Sequence, residues 1–290
     1  MLRIVIVGSG GRLGRAFSRA YQQVAEVTGF DHGQLDLVKF DQIEKRLRPL
    51  EFDLLINCAA LTNVDYCETH RDEAFRINAE APRLLARMAR EKSARIIHFS
   101  TDYVFDGTQT KPYAEGDEPN PTGIYGESKL AGERSVLEES SSSLVVRVSW
   151  VFGPDRPSFV DQVIKNAQEN AEVAAVTDKF STPTYTLDLA RWLETASQTR
   201  LSGLLHLTNS GACSWQEYGQ HALDCCAAAG VKLKVTHVNA LSLAEMKNFV
   251  ARRPPFTVLS TEQFTRLTGG KPRSWREAVA DYVKNYVARK

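Results

Sequence analysis

No stretch of about 18 apolar residues, the length needed to span a hydrocarbon core, occurs in this 290-residue chain. A transmembrane helix is therefore not expected. Charge of one sign is also missing: 36 Lys and Arg face 35 Asp and Glu, leaving +1. That balance gives no electrostatic reason to expect nucleic acid or an anionic membrane as partner. Cysteine is sparse. Cys58, Cys67, Cys213, Cys225 and Cys226 form no C-x-x-C pair, and no histidine stands at zinc-finger spacing from them. Free, mostly buried thiols in a reducing compartment are expected. The chain opens on LRIVIVG, which reads as a strand rather than an export signal, so a cytoplasmic protein is expected. There is no internal repeat. At 43% hydrophobic and 24% charged, the composition suits a soluble globular enzyme. The length fits one large α/β domain, or a large and a small one.

What is present is alternation. LRIVIV (2–7) is an unbroken apolar, β-branched run, as in a strand buried on both faces of a parallel sheet. A glycine-rich turn and a helical pattern from about Arg12 to Val24 follow, then a second strand ending near Phe30. Helical spacing from Phe40 stops at Pro49. LLIN (54–57) reads as a strand, 72–92 as a long helix, and RIIHFS (95–100) as a strand. His98 within it reads as a core histidine. The Gly-, Pro- and Asp-bearing stretch 101–123 reads as a long active-site loop, Tyr125 to Glu139 as a helix, the serine tract 140–143 as a loop, and LVVRVSW (144–150) as a strand. This order predicts a Rossmann-type, doubly wound parallel sheet. After Trp150 the rhythm weakens among GPDRPS, FSTPTY and ARRPP. The expected division is a dinucleotide-binding domain of 1–152 plus about 184–209, and a smaller substrate-binding lobe of about 153–183 plus 210–290. A helix from near Thr186 and the strand LLHL (204–207) return to the sheet.

Gly8, Gly11 and Gly14 form G-x-x-G-x-x-G between the first strand and the first helix. Glycines let a backbone turn sharply against a pyrophosphate, whose charge the free amides of the helix start then receive. Asp31 follows the second strand, 17 residues after Gly14, where a carboxylate can accept from ribose hydroxyls. It favours NADH, because a 2′-phosphate would meet a like charge; Arg12 and Arg15 can offset it, so NADPH or NADH is expected. Tyr125 and Lys129 form Y-x-x-x-K, four apart and so on one helix face. Ketone reduction needs a proton for the forming alkoxide. A phenol can supply it, and a neighbouring ammonium is expected to pull its pKa down from about 10 toward neutrality. The pair follows the loop after Ser100-Thr101-Asp102, and parallel sheets bind ligands beyond their strands' carboxyl ends. The Thr101 hydroxyl there can bond a substrate carbonyl.

These pieces together resemble the extended short-chain dehydrogenases, above all the dTDP-4-dehydrorhamnose reductase family. The likeness rests on the glycine triad, Asn57-Cys58-Ala59-Ala60, STDYVFDG (100–107), NPTGIYGESKLAGE (120–133), SWVFG (149–153), DKFSTPTYTLDLA (178–190), HLTNSG (206–211) and ARRP (251–254). It runs almost end to end. The resemblance implies a catalytic triad of Thr101, Tyr125 and Lys129, with Lys129 also on the nicotinamide ribose. It implies cofactor contacts from Gly8, Gly11, Arg12, Leu13, Gly14, Asp31, Ala59, Ala60 and Thr62. It places Trp150, Thr182, Pro183 and Arg253 on the substrate side, Arg253 as a two-pronged diphosphate ligand. Family homodimers can be bridged by metal through glutamates, one on the first helix. Here that neighbourhood reads Gly14-Arg15-Ala16, so no metal is expected, in a monomer or homodimer. The expected reaction is reduction of a nucleotide-linked 4-keto-6-deoxy sugar, dTDP-4-dehydro-β-L-rhamnose to dTDP-L-rhamnose. The competing readings are an epimerase, a dehydratase, for which Tyr103 stands where a second carboxylate is needed, and a cofactor-binding regulatory subunit like that of methionine adenosyltransferase.

Overall fold

The strand alternation of the sequence becomes one all-parallel sheet. The computed structural model describes residues 1–198 and 200–289. Its strands begin with β1 (Leu2–Val7), β2 (Ala25–Phe30), β3 (Leu54–Asn57), β4 (Arg95–Thr101) and β5 (Leu144–Val148). Short strands follow: β6 (Val151–Phe152), β7 (Ala174–Val176), β8 (Phe180–Ser181) and β9 (Thr184–Tyr185). The last are β10 (Gly203–His206), β11 (Cys213–Ser214) and β12 (Asn239–Leu241). The main sheet runs β10-β5-β4-β3-β1-β2. The chain lays β2 on one side of β1 and β3 on the other, so the strand order reverses at β1. That is the switch point where a crevice opens beyond the carboxyl ends.

Residues two apart in a strand share a face. Ile4 and Ile6 therefore join Phe17 and Tyr21 of α1 (Arg12–Tyr21) in one core, together with Leu189 and Leu193. Val5 and Val7 point into the other, with Ile43, Leu85, Met88 and Val136. These come from α2 (Phe40–Leu47), α5 (Ala81–Glu91) and α6 (Ile124–Glu139). Between β3 and α5 lie α3 (Val64–Thr69), α4 (Arg71–Phe75) and a π-helical turn, Arg76–Glu80. The single long helix expected at 72–92 is thus interrupted. The Asn78 amide is the reason: it accepts from Leu61 N–H at 2.8 Å and donates to Leu61 C=O at 3.0 Å. Gly132 of α6 presses on the Asn78 carbonyl so closely that a Cβ would sit 2.0 Å from it.

A third core gathers Phe152, Val163, Tyr185, Tyr218, Trp275 and Tyr282 with their neighbours. Its helices are α7 (Phe159–Glu169), α9 (Trp215–Ala228) and α11 (Trp275–Tyr282). Reciprocal side-chain caps, Ser214 with Glu217 and Ser274 with Glu277, fix the starts of α9 and α11; such caps contribute about 1 kcal/mol each. α8 (Thr186–Gln198) and α10 (Glu262–Thr268) return to the sheet, and Phe264 enters the first core. The strand expected through 150 ends at Val148. Trp150 takes φ of +39°, a left-handed turn that ends pairing before β6. No described helix is long and apolar enough to cross a membrane. Among the described residues, no cluster of His, Cys, Asp or Glu is arranged to hold a metal ion.

Candidate active site

The glycine loop owes its shape to close backbone approach. Gly8 has φ of +82°, and a Cβ there would lie 2.7 Å from Ala59 N. A Cβ on Gly14 would lie 2.2 Å from Gly8 C=O. The N–H groups of Gly8 and Ser9 both donate to Phe30 C=O, at 2.8 and 2.9 Å. The loop is thereby pulled across β1 between β2 and β3. No side chain caps the start of α1 and its first turn carries no acid, which leaves helix-start amides for an anion.

A cavity of about 520 Å³ opens at this point. Of the residues expected to hold cofactor, Gly11, Arg12, Leu13, Ala59, Ala60 and Thr62 line it. Gly8 and Gly14 lie beneath it as packing residues. Asp31 is exposed at the end of β2, outside the lining. Its carboxylate accepts from Gln34 N–H at 3.0 Å, and its Cβ faces Gly10, 3.1 Å from where a Cβ would stand. The Arg12 side chain turns away from Asp31, toward the carbonyls of Arg156 and Pro157.

Thr101, Tyr125 and Lys129 meet at the same cavity. Thr101 ends β4; its hydroxyl donates to Asp102 at 3.1 Å and accepts from Tyr103 N–H at 3.2 Å, and it lines the cavity together with Tyr125. Lys129 Nζ is buried against β4, 2.6 Å from Phe99 C=O and 3.4 Å from His98 Nε2. The electrostatics differ from the sequence-based expectation. Burial pushes the Tyr125 phenol well above its ordinary value, with Thr101 opposing and Asp102 and Cys67 adding to the rise. Burial also lowers Lys129 to about 8, with Glu133 opposing. The lysine donates to a backbone carbonyl of β4.

The substrate-side expectations divide. Trp150 lines the cavity. Thr182 and Pro183 are buried outside it: the Thr182 hydroxyl donates to Gly211 C=O at 2.8 Å, and its carbonyl accepts from Ser149 Oγ at 2.5 Å. The bond from Ser149 to the Thr182 carbonyl braces the Trp150 turn. Arg253 is also outside the lining and pairs with Asp65 at 2.7 Å, its guanidinium over the Phe249 ring. Phe159, Trp215 and Tyr218 were not anticipated, yet they complete an aromatic wall with Trp150. Ring centroids are 5.8 Å apart for Trp150–Trp215 and 5.6 Å for Phe159–Tyr218. The one sequence signal was a capping serine followed by an aromatic at a helix start, as in Ser158-Phe159 and Ser214-Trp215.

Comparison with known proteins gives a consistent result. The family model for the RmlD substrate binding domain matches residues 2–288. The spore coat polysaccharide biosynthesis protein SpsK of Bacillus subtilis is 32% identical over 98% of either chain. A dTDP-4-dehydrorhamnose reductase of Aggregatibacter actinomycetemcomitans is 31% identical, covering 96% of this chain and 97% of the relative. The crystal structure of dTDP-4-dehydrorhamnose reductase from Bacillus anthracis, in complex with NADP, superposes with a TM-score of 0.90. It is 32% identical and is matched over 97% of this chain and 99% of that one.

Proposed function

The chain belongs to the RmlD substrate binding domain family, and from that membership we propose an NAD(P)H-dependent reduction of the C4 ketone of a nucleotide-linked 4-keto-6-deoxy sugar. The substrate assigned is dTDP-4-dehydro-β-L-rhamnose and the product dTDP-L-rhamnose. The observation that carries this reading is the convergence of Thr101, Tyr125 and Lys129 on a cavity whose other wall is an uncapped helix start. The residues present fit a dinucleotide. The Gly8–Gly14 approach leaves no room for side chains, and the α1 amides suit a pyrophosphate.

When bound, the nicotinamide supplies the hydride that adds to C4. Thr101 would turn its one hydroxyl proton from Asp102 to the ketone oxygen and orient it. Tyr125 gives the proton. Its raised pKa keeps the phenol protonated at neutral pH, the form a reduction consumes, and the C4 alkoxide is the stronger base. Lys129 holds the nicotinamide ribose. The aromatic wall of Trp150, Phe159 and Trp215 excludes water and packs on the sugar nucleotide. Arg253 would serve a diphosphate by exchanging the Asp65 carboxylate for phosphate oxygens. Asp102 supports a reductase over a dehydratase: its Oδ2 is spent on the Ser181 and Thr257 hydroxyls, at 3.0 and 2.5 Å, and Tyr103 follows it instead of a second carboxylate. A cytoplasmic setting belongs to the same proposal and rests on the five free thiols.

The test follows nicotinamide absorbance with this substrate. Wild type consumes the reduced cofactor stoichiometrically, whereas an epimerase returns it. Tyr125→Phe is expected to lower turnover by about 10²–10⁴-fold and to keep cofactor affinity. Undiminished turnover in that variant removes Tyr125 from the mechanism.

A further inference from the structure

The stretch GPDRPS, between β6 and α7, has no part in the reaction as described, yet it is fastened to the glycine loop and α1 from both sides. Arg19 of α1 grips Asp155 with both Nη groups, at 2.8 and 2.9 Å. Arg12 donates to the carbonyls of Arg156 and Pro157. Arg156 Nε donates back to Gly10 C=O at 2.9 Å. Pro154 and Pro157 bracket Asp155 and Arg156. A proline fixes its own φ and drives the residue before it to extended backbone. Arg156 is thus delivered by a stiff segment, and a stiff segment loses little freedom when its side chain takes a ligand.

The bond to Gly10 uses only the Nε hydrogen of Arg156. Its Nη hydrogens meet no acceptor among the described residues, and no carboxylate there pairs with it. The side chain is exposed. Arg12 is close enough for the two cations to oppose each other. Both stand where α1 begins, a helix start with no side-chain cap and no acid in its first turn. Two guanidiniums at such a place lack a counter-ion, and the guanidinium fork matches phosphate oxygens.

Gly10 decides which phosphate Arg156 meets. A Cβ on Gly10 would lie 3.1 Å from Asp31 Cβ, so Gly10 stands against the end of β2. That is where a carboxylate receives the hydroxyls of the adenosine ribose. Gly11, Arg12 and Leu13 line the main cavity, whereas Asp31 and Arg156 both lie outside its lining. Arg156 therefore belongs to the ribose end of a bound dinucleotide and Arg12 to the pyrophosphate end. Arg15 is also exposed on α1, but no hydrogen bond or ion pair among the described residues aims it at Gly10.

We propose that Arg156, reaching across from the segment after β6, recognises the 2′-phosphate of NADPH. The inference rests on the reading that the glycine loop holds a nicotinamide dinucleotide. Asp31 and Arg156 then act on the same ribose with opposite sign, the carboxylate favouring the free hydroxyl and the guanidinium the phosphate. Preference between the two cofactors is set by their balance.

Calorimetry on the whole protein tests this without turnover, with NADPH, NADH, adenosine 2′,5′-bisphosphate and 5′-AMP as ligands. The last two differ only in the 2′-phosphate. Wild type is expected to bind the bisphosphate more tightly than 5′-AMP. Arg156→Gln should weaken NADPH and the bisphosphate by about tenfold or more, the loss of hydrogen bonds to a charged group, and leave NADH and 5′-AMP unchanged. Arg156→Lys gives up the fork and the Gly10 bond but keeps a cation on the same segment. It should recover part of the preference for the bisphosphate, and no recovery overturns the proposal. If wild type binds neither NADPH nor NADH, the dinucleotide reading fails and this inference with it. If both bind and Arg156→Gln weakens them equally or not at all, only this inference fails, and Arg156 is left as a staple between its segment and Gly10.

Discussion

The two walls of the cavity are built by opposite means. On the β1–α1 side, backbone meets backbone: Gly8, Gly11 and Gly14 bring a loop, a helix start and the residues after β3 within van der Waals limits. On the far side, large rings meet: Trp150, Phe159 at the start of α7, and Trp215 and Tyr218 of α9 pack together at the third core. The first wall has no slack and can be specified by short spacings along the chain. The second fills space with adaptable surface, and its members need only be large, apolar and delivered by the right helices. A shape shared by every dinucleotide suits the first construction, and a wall fitted to one sugar nucleotide suits the second.

The sharpest way to break this contrast is Gly14→Val. Its Cβ would stand 2.2 Å from Gly8 C=O with Ser9 Cα at 2.6 Å, and no flexible side chain is there to yield. Overpacking of this kind costs about 1–3 kcal/mol or more. A lowered melting temperature and loss of NADPH binding by calorimetry are expected together. A variant that binds cofactor as wild type does would show the cradle to be soft. Trp215→Ala tests the other wall with a smaller effect. Removing one ring from an aromatic cluster should raise KM for the sugar nucleotide by about tenfold, near 1.4 kcal/mol, and leave cofactor affinity unchanged. An equal loss of cofactor affinity would mean that the two walls are one mechanical unit.

That difference also explains what could be read before the fold was known. LRIVIV, LLIN and RIIHFS announce strands because alternate residues must fill two cores. Gly8, Gly11 and Gly14 are legible because their spacing along the chain is itself the geometry. Thr101, Tyr125 and Lys129 could be read for the same reason, one at a strand end and two a helical turn apart. The aromatic wall could not, because 64 residues separate Trp150 from Trp215 and no local pattern records their meeting. Nor did the sequence disclose that Lys129 bonds Phe99 C=O, since Y-x-x-x-K fixes a helix face but not what the ammonium touches across β4. The π-turn at 76–80 was hidden likewise. It exists because Asn78 reaches Leu61, a tertiary contact that outweighs helical periodicity.

The mildest test concerns the boundary of the first wall. Asp31 stands beside Gly10 with an exposed carboxylate, while the Arg12 guanidinium is turned onto the Arg156 and Pro157 carbonyls. A 2′-phosphate on the adenosine ribose would meet that charge. Asp31→Asn removes the charge and keeps an oxygen for Gln34 N–H, so the turn survives. In water, two unit charges about 4 Å apart interact by about 1 kcal/mol. The ratio of kcat/KM for NADPH to that for NADH should therefore rise about fivefold in dilute buffer. The gain should shrink in 1 M salt, where screening acts within about 3 Å. A ratio that does not move would place Asp31 outside the reach of the cofactor and leave the turn with Gln34 as its whole role.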